Sequence, residues 1–209
     1  MKFEQMSEFE DLGLHYITLC EKEVCKMTDL SKFKLSYYKF DWSARRRSSR
    51  GGWYPNKGGA GINIAMHHTC GAHYKNTPVD QPFRCYEYKS FDADPVIGGF
   101  YTNKREHYLA MVIAHEMAHA AQYFRKYIVK KSAGAPHGAV WKGIYAHLRK
   151  TLINPMLPDQ AEIRQDYEDY KLSLQNNKYE GKIDWASVRT DLEMMINERK
   201  EAKRAASRS

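Results

Sequence analysis

The sequence has few cysteines and no close cysteine pairs. Its 209 residues include four cysteines, Cys20, Cys25, Cys70 and Cys85, and no C-x-x-C spacing. Four scattered cysteines are too few for a disulfide scaffold in a chain of this size, and the spacing excludes a zinc ribbon built from cysteine pairs. We therefore expect reduced thiols and an intracellular, reducing environment.

Long apolar segments are also missing. No run of about 18 apolar residues is present, which is the length that a membrane-spanning helix needs. The first residues, MKFEQMSEFEDLG, are acidic, whereas a signal peptide needs a basic flank and an apolar stretch. The sequence thus predicts a cytoplasmic protein with no membrane partner.

The overall composition is that of a folded protein with an excess of positive charge. Hydrophobic residues make up 43% and charged residues 28% of the chain, with a formal charge of +8. These fractions favour a packed core, and the charge permits binding to polyanions such as nucleic acid. The basic residues concentrate in an acid-free stretch and near the C-terminus: Arg45, Arg46, Arg47, Arg50 and Lys57, then Arg199, Lys200, Lys203, Arg204 and Arg208.

Hydrophobic periodicity predicts helices that alternate with a small sheet. Apolar residues at three- and four-residue spacing predict a helix over 3–25. Alternating patterns predict strands over 32–42, 48–54 and 61–66, the last two paired antiparallel around a glycine-rich turn. Residues 83–91 could form a strand or a covering loop. Further helices are expected over 104–127, with Asn103 as N-cap, over 137–152, and in two polar segments, 159–175 and 184–206.

One motif in the predicted helix 104–127 carries chemistry. Residues 115–119 read His-Glu-Met-Ala-His, an H-E-x-x-H motif that places His115 and His119 one helical turn apart on one face, where they can bind one zinc ion. Glu116 lies about 100° around the helix axis, within reach of a zinc-bound water. Glu116 is therefore the expected general base for peptide hydrolysis.

A catalytic zinc ion usually has a third protein ligand and an open position for water. His137 is the best candidate, because Pro136 and Gly138 predict a turn at a helix start that could direct its imidazole back at the first helix. His147 and the carboxylates after residue 158 are alternatives.

Other residues leave their role open. His67, His68, Cys70 and His73 could bind a second metal ion or could form a loop without one. Tyr101, Tyr123 and Tyr145 are candidate donors to the oxyanion of the reaction.

The arginine-rich segment has the composition of a site for single-stranded nucleic acid. Arg45, Arg46, Arg47, Arg50 and Lys57 accompany Trp42, Trp53 and Tyr54, so phosphate contacts and base stacking are both available. A solvated hairpin with core aromatics is the alternative. For the basic C-terminal tail, a frayed helix end is the simpler interpretation.

Three segments together resemble the SprT-like metallopeptidases. They are HEMAHA at 115–120, APHGAVW at 135–141, and WSARRRSSRGGWY at 42–54, the last being similar to the family's Trp-Ser followed by Arg and a glycine-bearing hairpin. The resemblance covers roughly residues 5–155. Two features depart from the family. Val140 stands where the family usually has a polar or acidic residue, directly before the Trp or Phe, and the C-terminal zinc ribbon of many relatives is absent.

The resemblance implies a zincin-like α+β fold, with a small antiparallel sheet packed on helices and His137 as third zinc ligand. It implies a metalloprotease domain at 1–157, a charged helical extension at 158–209, and one catalytic Zn²⁺. The implied substrates are DNA-associated or DNA-crosslinked proteins, with single-stranded or junction-containing DNA as partner and association with the nucleoid. A DNA-binding module with a structural zinc ion and a general intracellular metallopeptidase are the alternatives.

Overall fold

The structure of the protein is a computed structural model, and it describes residues 3–46, 48–72, 81–87, 89–90 and 92–180. Three features predicted from the sequence lie outside these residues. They are Arg47, His73 and the second polar helix at 184–206 with its basic tail.

The described residues form an α+β fold, as predicted. The helices are α1 (Phe3–Cys25), α2 (Arg105–Tyr127), α3 (Ala139–Leu148) and α4 (Gln160–Glu180). The strands are β1 (Tyr37–Phe40), β2 (Arg50–Tyr54), β3 (Gly59–Ile64), β4 (Phe83–Cys85) and β5 (Phe100–Thr102).

The first three strands form one sheet in the order β1-β3-β2. The predicted antiparallel pairing of β2 with β3 is confirmed, with Gly52 opposite Gly61. The prediction of a wholly antiparallel sheet is wrong, because β1 runs parallel to β3. After β1 at one edge of the sheet, the chain crosses to the other edge and forms β2. It then turns back and forms β3 between β1 and β2, in the same direction as β1.

Helix α2 is the centre of the core. It packs against α1, α3 and the sheet, and its buried side includes Leu109, Ile113 and Met117. Small residues at 114, 118, 120 and 121 bring neighbouring elements close to its backbone. The predicted N-cap is wrong: Lys104 holds that position, and the hydroxyl of Thr102 accepts a hydrogen bond from its backbone N–H at 3.1 Å.

The remaining elements follow the predictions in outline. The expected helix over 3–25 is confirmed as α1, and the helix expected over 137–152 consists of α3 followed by a π-helical turn, Arg149–Ile153. Residues 83–91 contribute a short strand, β4, which pairs antiparallel with β5. The four cysteines are free thiols.

The chain consists of two compact units, with the boundary between Tyr167 and Glu168. The predicted division into a protease domain at 1–157 and an extension at 158–209 stays a prediction. Within the part of the chain that the structure describes, no helix is both long and apolar enough to cross a bilayer.

Candidate metal centre

Three imidazole rings converge at the carboxyl half of α2. His115 and His119 project from one face of that helix, and His137 reaches them from the loop before α3. The Nε2 atom of His137 lies 3.1 Å from Nε2 of His119 and 3.2 Å from Nε2 of His115. The structure thus brings together the three residues predicted as metal ligands.

The spacing of these nitrogens fits a tetrahedral zinc ion. Zinc–imidazole bonds of about 2.0–2.1 Å in tetrahedral geometry separate the ligand nitrogens by about 3.3 Å. The observed separations of 3.1 and 3.2 Å agree with that value. Imidazole nitrogens also bind copper, nickel and iron. The three histidines therefore indicate a metal site but do not identify the metal.

The electrostatic surroundings favour neutral imidazoles at two of the three positions. Burial, with the neighbouring charges of His115 and His137, lowers the pKa of His119 to about 4. Burial and the charge of His115 also lower the pKa of His137. A neutral imidazole has the lone pair that a metal ion needs, so both residues are in the ligating form at neutral pH.

His115 has a different electrostatic environment. Burial lowers the pKa of its imidazole, but the hydrogen bond and charge of Glu87, together with the charge of Glu116, outweigh this and raise the pKa. A nearby carboxylate therefore distinguishes His115 from the other two histidines.

The loop that carries His137 is held by a glutamine of α2. The side-chain amide of Gln122 donates hydrogen bonds to the backbone oxygens of Ala133 at 2.6 Å and Ala135 at 3.0 Å. His137 itself has φ of 56°, a left-handed conformation that is uncommon outside glycine. Gln122 belongs to no sequence motif, and its only local signal is a polar side chain among buried neighbours.

Trp141, the last residue of the segment APHGAVW, lies against all three imidazole rings. Its indole is fully buried, with ring-centroid distances of 4.8 Å to His115, 5.3 Å to His119 and 4.5 Å to His137. A rigid aromatic surface against all three imidazoles restricts their rotation. The tryptophan thus supports the geometry of the metal ligands.

The carboxylate of Glu116 lies beside the histidines, buried against β2. Its side chain accepts a hydrogen bond from the backbone N–H of Gly51. Burial raises the pKa of Glu116, while His115 and the Gly51 hydrogen bond oppose that shift. A carboxylate with a raised pKa, one residue from a metal ligand, has the properties of a general base.

Glu87 is a site residue that the sequence analysis did not single out. Its two carboxylate oxygens lie 3.0 and 3.1 Å from Nδ1 of His115. The hydroxyl of Tyr145 donates a hydrogen bond to the same carboxylate at 2.8 Å. The period-two pattern of Phe83 and Cys85, extended two residues past the end of β4, could have identified Glu87, because a buried carboxylate needs a partner.

A cavity of about 180 Å³ opens beside His115 and Glu116. Apolar and hydroxyl-bearing side chains line it, including Met111, Val112, Tyr108, Thr69, Ser48 and Ser49. A molecule bound there would lie next to one of the three histidines and to the Glu116 carboxylate.

The described residues of the arginine-rich segment lie before β2, on it and in the turn that follows it. Arg45, Arg50 and Lys57 are exposed, and Arg46 lies 3.7 Å from Asp41. Trp53 packs against Tyr127 at a ring-centroid distance of 4.8 Å. Trp42 donates its indole N–H to Glu10 and therefore anchors this segment to α1.

The alternative metal ligands form other interactions. His147 lies 3.4 Å from Glu23 and pairs with α1. In the described part of the chain, His67, His68 and Cys70 do not form a group of three ligands close enough to hold an ion. His67 to Ala72 forms a π-helical turn, with Cys70 buried.

The three candidate oxyanion donors are placed differently. The hydroxyl of Tyr145 is buried and donates to Glu87. Tyr101 lies on β5 and packs against Tyr167 at 5.2 Å. Tyr123 follows His119 by one helical turn and lies next to Gly52 of β2. A role for any of the three at an oxyanion stays a prediction.

Comparisons of the chain with models of protein families, with curated proteins and with solved structures found no match.

Proposed function

We propose that this protein is a zinc-dependent metalloendopeptidase with a zincin-like fold, similar to the SprT-like family. The observation that carries the proposal is the combination of three converging imidazoles with a buried carboxylate at the edge of an accessible cavity. Three protein ligands are typical of catalytic zinc sites, whereas structural sites usually have four. No fourth protein ligand joins the three histidines among the described residues.

The chain's residues have separate roles in this proposal. His115, His119 and His137 would hold the zinc ion, which would supply Lewis acidity for a peptide carbonyl and for water. Glu116 takes the proton of the attacking water and passes it to the leaving amine. The hydrogen bond from Gly51 holds the Glu116 carboxylate in place for both transfers.

Tyr123 is the proposed donor to the oxyanion. It lies on the same face of α2 as His119, one helical turn further along, and its ring lies 3.9 Å from the position that a side chain at Gly52 would occupy. A phenolic hydroxyl can stabilise the negative charge that develops on the carbonyl oxygen. Tyr145 is unsuited to this role, because its hydroxyl donates to Glu87.

The proposed substrates are proteins associated with DNA or crosslinked to it, inside a reducing compartment. Exposed Arg45, Arg50 and Lys57 provide positive charge near β2, the strand that contacts Glu116. Phosphate binding at these residues would bring DNA-bound proteins close to the metal site. A DNA-binding module with structural zinc is less well supported, because a structural site has no use for a buried carboxylate beside the ligands.

A proteolysis assay of the zinc-loaded chain tests both halves of the proposal. Cleavage of an unstructured protein would be measured without DNA, with single-stranded DNA and with double-stranded DNA, each at 50 and 200 mM salt. We expect cleavage that DNA stimulates, and less stimulation at the higher salt, because phosphate contacts weaken with salt. Cleavage unaffected by DNA would indicate a general peptidase, and absence of cleavage would leave a binding module.

A further inference from the structure

A chain of hydrogen bonds leads from a buried arginine to the metal ligand His115. Nη1 of Arg149 lies 3.2 Å from the hydroxyl of Tyr145, which lies 2.8 Å from Oε2 of Glu87, and that carboxylate contacts Nδ1 of His115. From this arrangement we infer that Arg149, Tyr145 and Glu87 are positioning residues that fix the tautomer of His115. The inference extends the proposed function, because it depends on His115 being a metal ligand.

The direction of each hydrogen bond follows from the groups involved. A guanidinium can only donate, so the Tyr145 oxygen accepts from Arg149. The hydroxyl has a single proton, which it therefore donates to Glu87. The positive charge of Arg149 behind Tyr145 favours the ionised form of Glu87. An ionised carboxylate can only accept, so the proton between Glu87 and His115 belongs to Nδ1 of the imidazole. In a neutral ring, this leaves the lone pair of His115 on Nε2, the atom that faces His137.

Arg149, the first residue of this series of hydrogen bonds, is held in a fixed position. Arg149 is fully buried, donates to the backbone oxygen of Gly98 at 3.0 Å, and donates through Nε to Oδ1 of Asn154, also at 3.0 Å. Its guanidinium lies 5.1 Å from the ring centre of Phe100. These contacts keep the guanidinium beside Tyr145. The core therefore determines the direction of the hydrogen bonds that lead to His115.

The charges of the network also balance. The side chain of Glu87 is only 5% exposed, and a buried carboxylate is costly unless it is paired and hydrogen-bonded. Tyr145 and His115 supply the hydrogen bonds, and Arg149 supplies the compensating positive charge through Tyr145. An outer carboxylate of this kind orients a metal-bound histidine, and losing such a partner typically weakens metal binding about 10- to 100-fold.

Two variants and one control test the inference. Glu87→Ala removes the acceptor, and Tyr145→Phe removes only the hydroxyl and keeps the ring that packs on Trp141. Glu162→Gln, at an exposed position of α4, serves as the control. Zinc affinity would be measured by competition with a chromophoric chelator. The His115 tautomer would be measured by long-range ¹H–¹⁵N NMR of the metal-free protein, at a pH high enough for the His115 ring to be neutral.

We expect the metal-free wild type to show the Nδ1–H tautomer at His115, and Glu87→Ala to lose it and bind zinc about 10- to 100-fold more weakly. Tyr145→Phe should weaken binding about 10-fold, which corresponds to the lower end of what one hydrogen bond to a charged group contributes. An Nε2–H tautomer in the wild type, or unchanged zinc affinity in both variants, would overturn the inference. A wild type that binds no zinc would refute the proposed function instead, and the tautomer measurement would still decide the role of Glu87.

Discussion

The carboxylate of Glu116 accepts a hydrogen bond from the backbone N–H of Gly51, although 65 residues separate them in the sequence. At this point strand β2 lies directly against the backbone of α2. A Cβ atom on Gly51 would come within 1.9 Å of the carbonyl oxygen of Glu116. The close approach that positions the proposed general base is therefore possible only with glycine at residue 51.

Gly51 and its neighbour Gly52 provide a matched pair of substitutions. Gly51→Ala forces the strand away from the helix, and we expect a loss of about 1–3 kcal/mol in the free energy of unfolding. Peptidase activity should fall further than stability alone explains, because the hydrogen bond to Glu116 is lost. Denaturant unfolding and a peptide-cleavage assay would measure the two effects.

Gly52→Ala is the control for that experiment. The nearest atoms to an added Cβ are those of the Tyr123 ring at 3.9 Å, which is an ordinary contact. We expect unchanged stability, or a gain of about 0.4–1 kcal/mol from reduced freedom of the unfolded chain. Equal effects of the two substitutions would contradict the assigned contact between β2 and α2.

The contact between Gln122 and the loop before α3 gives a second prediction. Gln122→Ala removes two hydrogen bonds to the segment that carries His137. We expect stability to fall by about 1–3 kcal/mol and zinc to bind more weakly, because the loop gains freedom. Asp166→Ala, at an exposed position of α4, should change neither quantity. If Gln122→Ala binds zinc with wild-type affinity, His137 does not depend on this anchor.

Metal removal should lower the stability of the wild type. A ligand at 100 times its dissociation constant stabilises the folded state by about 2.7 kcal/mol, so adding a chelator should lower the melting temperature. In His119→Ala the site loses one of its three ligands, and the same chelator should leave the melting temperature unchanged. Differential scanning calorimetry would make the comparison. An equal shift in both proteins would place the metal elsewhere.

The exposed arginines before and on β2 give a prediction about DNA. Replacing Arg45 and Arg50 together with Gln should weaken binding to single-stranded DNA. The slope of the logarithm of the binding constant against the logarithm of salt concentration should also become shallower, by about 0.7 for each lost phosphate contact. Fluorescence anisotropy at several salt concentrations would measure both. Lys150→Gln, an exposed lysine on the turn after α3, is the control. Unchanged salt dependence in the double variant would exclude this surface as the DNA site.

Local patterns in the sequence predict the parts of the fold and site that depend on neighbouring residues. The spacing of His115 and His119 is a property of any helix, and the turn around Pro136 correctly placed His137 near them. The direction of β1 was predicted wrongly, because it depends on which edge of the sheet the chain reaches next. The role of Gln122 depends on contacts with a distant segment, which no local periodicity encodes. The period-two pattern before Glu87 marks that residue as buried, but it does not identify His115 as its partner.

The most direct test of the proposed peptidase is the variant Glu116→Gln. The amide keeps the size of the side chain and the His115–His119–His137 ligand set, but it cannot accept the proton of water. We predict one zinc ion per chain, measured by atomic emission, and cleavage of an unstructured protein reduced by at least about 100-fold relative to wild type. Wild-type cleavage by a zinc-loaded Glu116→Gln protein would contradict the account.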